Sequence, residues 1–281
     1  MANVVINSQS KSLDKVLSDV DFGNKVVLDA GTGSWSTRFL AQRKPRRIVC
    51  VAGPGDKRKE EEARECLQSM GYKNYQIILE NLICENLFPA NSFDFILAHY
   101  FIEEVDGFAP FGICEVLHNL YKYLQEGGDL VIMNPEAYTP FRPEYELTST
   151  PGVRGDAQLE KRSDRDLVEA LYILLFAPVT LMLLNASIGG RYPSKWVCNW
   201  LIDAGFKELD MHFFDIKVYV DKEFTKRSEF AHQIISTMCA PKLREGLLER
   251  LEEVVSEYKR RKVTKDDFFL QRHYIICAKK G

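Results

Sequence analysis

The residues best suited to chemistry in this chain form one short run, Asp29-Ala30-Gly31-Thr32-Gly33. Three apolar residues, Val26, Val27 and Leu28, precede it, and they have the β-branched character of a buried parallel strand. Gly31 and Gly33 let the backbone turn sharply and let a ligand approach the main chain. Ser34 is a suitable N-cap for a helix whose apolar positions are Trp35, Phe39 and Leu40. A strand, a glycine turn and a helix start aim backbone N–H groups and a positive helix end at whatever fills the turn. This is the first half-unit of a nucleotide- or cofactor-binding α/β domain. Two patterns compete for it. Gly31 and Gly33 fit the dinucleotide fingerprint, but Ser36 stands at its third position and no acid closes the next strand. Asp29, Gly31 and Gly33 fit Asp-x-Gly-x-Gly. A second candidate set is His99 and Tyr100, which directly follow a later strand, with Glu103 and Glu104 a turn further. Such groups accept or donate a proton. The plainer reading makes His99 a hydrogen-bonded strand end and the glutamates solvated residues at a helix start.

The elements that position these residues alternate in type. Residues 8–20 predict a helix carrying Leu13, Val16, Leu17 and Val20 on one side. After Pro45, residues 48–51 form a second buried strand. Residues 57–70 form a charged helix that Gly71 ends. Residues 76–79 and 93–98 are the third and fourth strands. Residues 111–124 form a helix closed by Glu126-Gly127-Gly128, and 129–133 the fifth strand. This rhythm implies a parallel sheet with helices on both faces. Residues 134–193 break it as an insertion. Pro135, Pro140, Pro143 and Pro151 make a long loop, followed by an apolar run at 167–186 that is uncharged from 170 to 184. A membrane span needs roughly 20 such residues, and Pro178 kinks the run. It reads as a buried helix pair, or as a homodimer face through 167–186. An amphipathic helix at 194–204, capped by Gly205, leads to a sixth strand at 208–215. Residues 223–262 are a helical insertion, and 273–279 a final strand.

At 281 residues, a single domain carrying these insertions is expected. A net charge of −3 gives no electrostatic footprint for nucleic acid, and basic clusters such as Lys57, Arg58 and Lys59 read as solvated faces. Seven cysteines without zinc or redox spacing suit a reducing, cytoplasmic compartment. Val4-Val5-Ile6 is too short an apolar run for a signal peptide.

Four later stretches extend the glycine turn. Residues 93–97 read Phe-Asp-Phe-Ile-Leu, residues 123–133 run through a Gly-Gly pair into a strand, residues 200–206 read WLIDAGF, and the chain closes on a strand. With Asp29-x-Gly31-x-Gly33, this order resembles the class I S-adenosylmethionine-dependent methyltransferases, nearest their small-molecule branch. The resemblance covers residues 25–214 and, loosely, 272–279. It implies a Rossmann-like sheet of seven strands in the order 3-2-1-4-5-7-6, the last antiparallel. S-adenosylmethionine would lie across the carboxyl ends of the first three strands. Asp29, Ala30, Gly31, Thr32 and Gly33 would hold its amino-acid end. Asn81 stands where the family has Asp, and its side-chain oxygen can accept from the adenine amino group. Leu82 and Ala98 complete the implied cofactor contacts.

Two positions depart from the family. Ala52 replaces the acid that takes the ribose hydroxyls, a loss of roughly 1.5–3 kcal/mol, and Asp56 one turn later is the candidate substitute. Trp35 replaces the third glycine, either covering the cofactor or packing on the sheet. Both departures leave open a degenerate domain that serves as a scaffold, whereas a dehydrogenase explains none of the later matches. The expected activity is methyl transfer to a small, apolar acceptor. His99 and Tyr100 are the expected catalytic residues, and 134–193 is a lid flanked by Tyr138, Arg142, Tyr145, Arg154, Arg191 and Tyr192. Asn134-Pro135-Glu136-Ala137-Tyr138 follows the fifth strand, so it does not match the Asn-Pro-Pro-Tyr of nucleic-acid methyltransferases.

Overall fold

A computed structural model describes residues 3–7, 11–109, 112–136, 192–236, 241–260 and 268–281. Asn134 and Pro135, expected to open the insertion, still belong to a strand and pair with Tyr274 and His273. Residues 137–191, with the body of the lid, the apolar run at 167–186, its homodimer face, and Tyr138, Arg142, Tyr145, Arg154 and Arg191, lie outside the described residues.

The elements follow in the order β1 (Asn3–Asn7), α1 (Leu13–Val16), β2 (Val26–Ala30), α2 (Ser34–Gln42), β3 (Arg47–Ala52), α3 (Lys57–Ser69), β4 (Tyr75–Leu79) and β5 (Phe93–His99). Next come α4 (Phe101–Phe108), α5 (Ile113–Tyr123), β6 (Leu124–Pro135), α6 (Ser194–Ala204), β7 (Glu208–Tyr219), α7 (Val220–Ser236), α8 (Pro241–Arg260) and β8 (Phe268–Lys279). The sheet has eight strands in the order β1-β7-β8-β6-β5-β2-β3-β4, not the seven expected. The additional strand is β1, which pairs in parallel with β7 at the edge. Without it, the remaining strands stand in the expected order. β8 enters between β6 and β7 and runs antiparallel to β6.

Strand alternation explains how both faces are filled. Leu28, Val49, Val51, Ile96, Ala98, Leu130 and Ile132 point to one face, where Phe101 and Ile102 of α4, Val116 and Leu120 of α5 and Val197 and Leu201 of α6 cover them. Val27, Ile48, Cys50, Phe95, Leu97 and Val131 point to the other, beneath Leu13, Phe39, Leu40 and Leu67. Each fully buried aliphatic or aromatic side chain contributes about 1.5–3 kcal/mol.

Three sequence expectations change. The helix at 8–20 is reduced to Leu13–Val16. The chain turns at Leu17, so that Leu13, Leu17 and Phe22 all reach the core, where Phe22 meets Phe95 edge-on at 4.9 Å. The fifth strand starts at Leu124 rather than 129. Leu124 pairs with Phe93 and Asp129 with Phe95, so 125–128 form an irregularity that Gly127 turns at φ +74°. The helical stretch at 223–262 is two helices, the second opening on Pro241, a residue suited to a first helical turn.

The chain divides into two compact units. One comprises Met1–Ala137, Gly189–Ile216 and Arg272–Gly281, and the other Tyr138–Ile188 and Lys217–Gln271. In the second, Phe224 of α7 stacks on Tyr258 of α8 at 3.6 Å. Among the described residues, no helix is long and apolar enough to cross a membrane.

Candidate functional site

The glycine turn is built largely from its own hydrogen bonds. Gly31 adopts φ +75°, the left-handed conformation that favours glycine. Its N–H and that of Thr32 both donate to the Val51 carbonyl, at 3.2 and 3.0 Å. The Gly33 N–H donates to Ser36 Oγ at 3.2 Å, and Ser36 Oγ returns a bond to the Gly33 carbonyl at 3.1 Å. These three amides therefore serve the protein, which corrects the expectation that the turn aims them at a ligand. Gly33, extended at φ −155°, is the N-cap of α2, and Ser34 is its first residue rather than its cap. Thr32 Oγ1 donates to the Asp29 carbonyl at 3.0 Å. Asp29 is fully buried. Its Oδ2 accepts from Thr37 Oγ1 at 2.7 Å, and its Oδ1 has no hydrogen-bond partner among the described residues. Burial pushes its carboxyl up to about 7, against the pull of the Thr37 hydroxyl and the Lys59 charge.

A narrow cleft opens at the carboxyl ends of β2, β3 and β4. Gly31 stands on one side, residues 51–54 and 80–82 on a second, and Phe101, Glu104 and Val105 on a third. Its volume is about 30 Å³. α4 closes it: a Cβ built on Gly31 would fall 2.8 Å from Phe101 Cδ2 and 3.3 Å from Glu104 Oε2. Lys59 of α3 pairs with Glu104 of α4. Glu104 is thus no solvated helix-start residue, and Lys59 does not belong to a solvated face. Burial pushes the Glu104 carboxyl up, and Lys59 pulls it back. Asn81 Oδ1 accepts from the Ile83 N–H at 3.1 Å, closing a local turn, while the Asn81 N–H donates to Glu80 Oε1 at 2.9 Å. Leu82 is buried. Asp56 is the N-cap of α3, its Oδ1 accepting from the Lys59 N–H at 3.1 Å. It does not line the cleft, whereas Glu80 does. Glu80 and Phe101 escaped the sequence reading, and Lys59 entered it only as part of a solvated face. An acid directly after the third predicted strand was the available signal for Glu80.

His99 and Tyr100 belong to a different group, an aromatic ladder beside the cleft rather than in its lining. The His99 ring stacks on Trp35 at 4.3 Å and tilts against Tyr100 at 4.2 Å. Trp35 also stacks on Phe39 at 5.0 Å and remains 46% exposed, so it packs on its neighbours while keeping one side open. Tyr100 takes φ +52° as the residue before α4, and its N–H donates to the Met133 carbonyl at 2.8 Å. Its hydroxyl lies 3.2 Å from His273 Nδ1. Burial, with the neighbouring His273, lowers His99 to about 4, so its imidazole is neutral at neutral pH. Ala98 pairs with Ala30 across β2 and β5, and both side chains are buried. Tyr192 meets Trp200 of α6 edge-on at 5.0 Å. Among the described residues, no cluster of His, Cys, Asp or Glu is arranged to hold a metal ion.

No protein-family model matches the chain, and no curated protein matches it by sequence. Solved structures do. The YcgJ protein of Bacillus subtilis superposes with a TM-score of 0.58 at 12% identity, over 95% of this chain and 96% of that one. A candidate methyltransferase from Bacillus halodurans C-125 superposes with a TM-score of 0.54 at 16% identity, over 92% and 93%. Identities this low speak of architecture alone. The strand order, the antiparallel β8 and these likenesses identify the fold as that of the class I S-adenosylmethionine-dependent methyltransferases.

Proposed function

We propose that this chain binds S-adenosylmethionine in the cleft beside Gly31 and transfers its methyl group to a small acceptor. The observation that carries the reading is a left-handed glycine at a cleft on the carboxyl ends of β2, β3 and β4, next to a buried aspartate with an unpartnered Oδ1. Ligands of open α/β sheets collect at such a switch point. The polar groups suit the cofactor. Glu80 supplies the hydroxyl-accepting carboxylate that Ala52 lacks, and Asn81 and Leu82 border the base. The sulfonium, when bound, supplies an electrophilic methyl group. What the protein adds is alignment of the acceptor, with a neutral, weakly basic His99 beside the cleft that suits a hydrogen bond to the acceptor better than holding its proton. An apolar acceptor and a cytoplasmic setting, the latter favoured by the unpatterned cysteines, complete the reading.

The cleft as it stands has about a tenth or less of the roughly 300–1,000 Å³ of a ligand pocket. A nucleoside enters only when Phe101 withdraws from Gly31. That closure is the observation that favours the second reading, a non-catalytic domain that acts through partners. Calorimetry with S-adenosylmethionine, S-adenosylhomocysteine and NAD separates the readings. Binding of the first two, with methyl transfer from labelled donor into an extract of small metabolites, supports the enzyme. No binding at millimolar ligand, with the fold intact, leaves the scaffold. Selective binding of NAD returns the dehydrogenase.

A further inference from the structure

An ion pair stands at one wall of the cleft, where Glu104 belongs to the lining and Lys59 lies behind it. Lys59 Nζ in the first turn of α3 donates to Glu104 Oε1 in the first turn of α4. The side chains are 14% and 34% exposed, so both charges are largely withdrawn from water. The other Glu104 oxygen stands 3.3 Å from the point where a Cβ on Gly31 would lie. The pair therefore overhangs the glycine turn rather than decorating the outer surface. Two further observations bear on it. The amides of Gly31, Thr32 and Gly33 already donate within the protein, so they offer no bond to an anionic group arriving at the turn. Phe101 and Glu104 share one turn of α4, so drawing Glu104 from Lys59 and Phe101 from Gly31 is one movement.

We propose that Lys59 and Glu104 are the clamp for the amino-acid end of the ligand: the pair parts, Glu104 accepts from the α-ammonium, and Lys59 donates to the α-carboxylate. The proposal rests on the reading of the cleft as an S-adenosylmethionine site. Its physical basis is charge exchange. A buried charge stripped of its partner is strongly unfavourable, but a zwitterion entering an ion pair leaves every charge matched. A ligand with a nucleoside and no amino-acid end would open the pair and restore neither half, so the clamp selects for the zwitterion.

The test compares S-adenosylhomocysteine with 5′-methylthioadenosine, which keeps the nucleoside thioether and lacks the amino-acid end. Calorimetry on the full chain gives both affinities for the wild type, Lys59→Met, Glu104→Gln and the charge-swapped pair Lys59→Glu with Glu104→Lys. The clamp requires each single variant to lose at least about tenfold in S-adenosylhomocysteine affinity, while methylthioadenosine affinity holds or rises, since no intact pair then has to part. The swapped pair, which keeps the ion pair but reverses its polarity, loses S-adenosylhomocysteine likewise. If a single variant fails to melt cooperatively, the swapped pair decides alone. Parallel losses for both ligands, or S-adenosylhomocysteine binding as tight as or tighter than wild type, make the pair a mere latch on α4 and overturn the clamp. A wild type that binds neither ligand overturns the cofactor reading and the clamp with it.

Discussion

Asp29 puts a titration inside the core, and its effect on stability has a definite sign. The folded chain holds this carboxyl at about 7 instead of the ordinary 3.8, because burial disfavours the charge. Between those values the folded state keeps its proton and the unfolded state has lost it. Stability therefore falls as pH rises through the window, and the full penalty is present above about pH 7. One pH unit corresponds to about 1.4 kcal/mol, so the gap amounts to roughly 4 kcal/mol. Asp29→Asn removes the titration and leaves an oxygen to accept from Thr37 Oγ1. Its amide nitrogen falls near the position of the unpartnered Oδ1, an offset of about 1–3 kcal/mol that does not change with pH. The quantity to follow is thus the difference between the two proteins, which cancels every other carboxylate. Urea unfolding followed by circular dichroism at half-unit steps from about pH 4.5 to 8 measures it. The difference should move in favour of Asp29→Asn by most of that 4 kcal/mol as pH rises, flattening above neutrality. A difference curve flat to within about 0.5 kcal/mol would refute the reasoning, since Asp29 would then titrate alike in both states.

Three further outcomes follow from the same geometry. Gly31→Ala, forced to φ +75° with its Cβ 2.8 Å from Phe101, should lose about 2–4 kcal/mol in denaturant unfolding. Gly33→Ala, extended and 4.0 Å from its nearest neighbour, should stay within about 1 kcal/mol of wild type, and equal losses at the two positions would contradict the turn geometry. His99 should titrate near 4 by proton NMR, adding stability that is present above its ordinary 6.5 and drains as pH falls toward 4; a midpoint above 6 would mean the ladder does not bury it. Asp56→Ala should cost about 1 kcal/mol of stability through the lost cap on α3 and leave nucleoside affinity unchanged; a fall beyond about fivefold would show that Asp56 reaches the ligand.

The central strands were legible because their physics is local. Val27, Leu28 and 48–51 are buried on alternate faces of a sheet covered on both sides, so they read as unbroken apolar runs. Asp94 shows why Phe-Asp marks the start of β5: its Oδ2 accepts from the Val26 N–H at 2.8 Å and fastens β5 to β2. β1 was hidden because its partner, β7, begins some two hundred positions later, and Val4, Val5 and Ile6 are all exposed. Leu13, Val16, Leu17 and Val20 have helical spacing, yet the need to bury Phe22 ends the helix after one turn. The site was legible as a turn and not as a closed object. The glycine pattern pointed to Gly31 and the family resemblance to Asn81 and Leu82, and all three line one cleft. Neither revealed that Glu104 meets Lys59 across 45 positions, because an ion pair between two helix starts leaves no local trace. His99 and Tyr100 were found by their place after a strand, and the ladder with Trp35 and His273 became visible only when β8 closed on β6.

The place of β8 governs the order in which the sheet can form. It is the joint between β6 and β7, and β1 is held through β7. Until residues 268–279 have left the ribosome, β4, β3, β2, β5 and β6 can zip into a parallel block around the glycine turn, while β7 and β1 have no neighbour through which to join. The cleft is thus assembled early in synthesis, with one flank of β6 exposed as an open edge. A chain arrested just before Phe268 should protect residues 26–135 from protease and leave 208–219 cleavable; equal protection of both would place the closing of the sheet before its last strand is made.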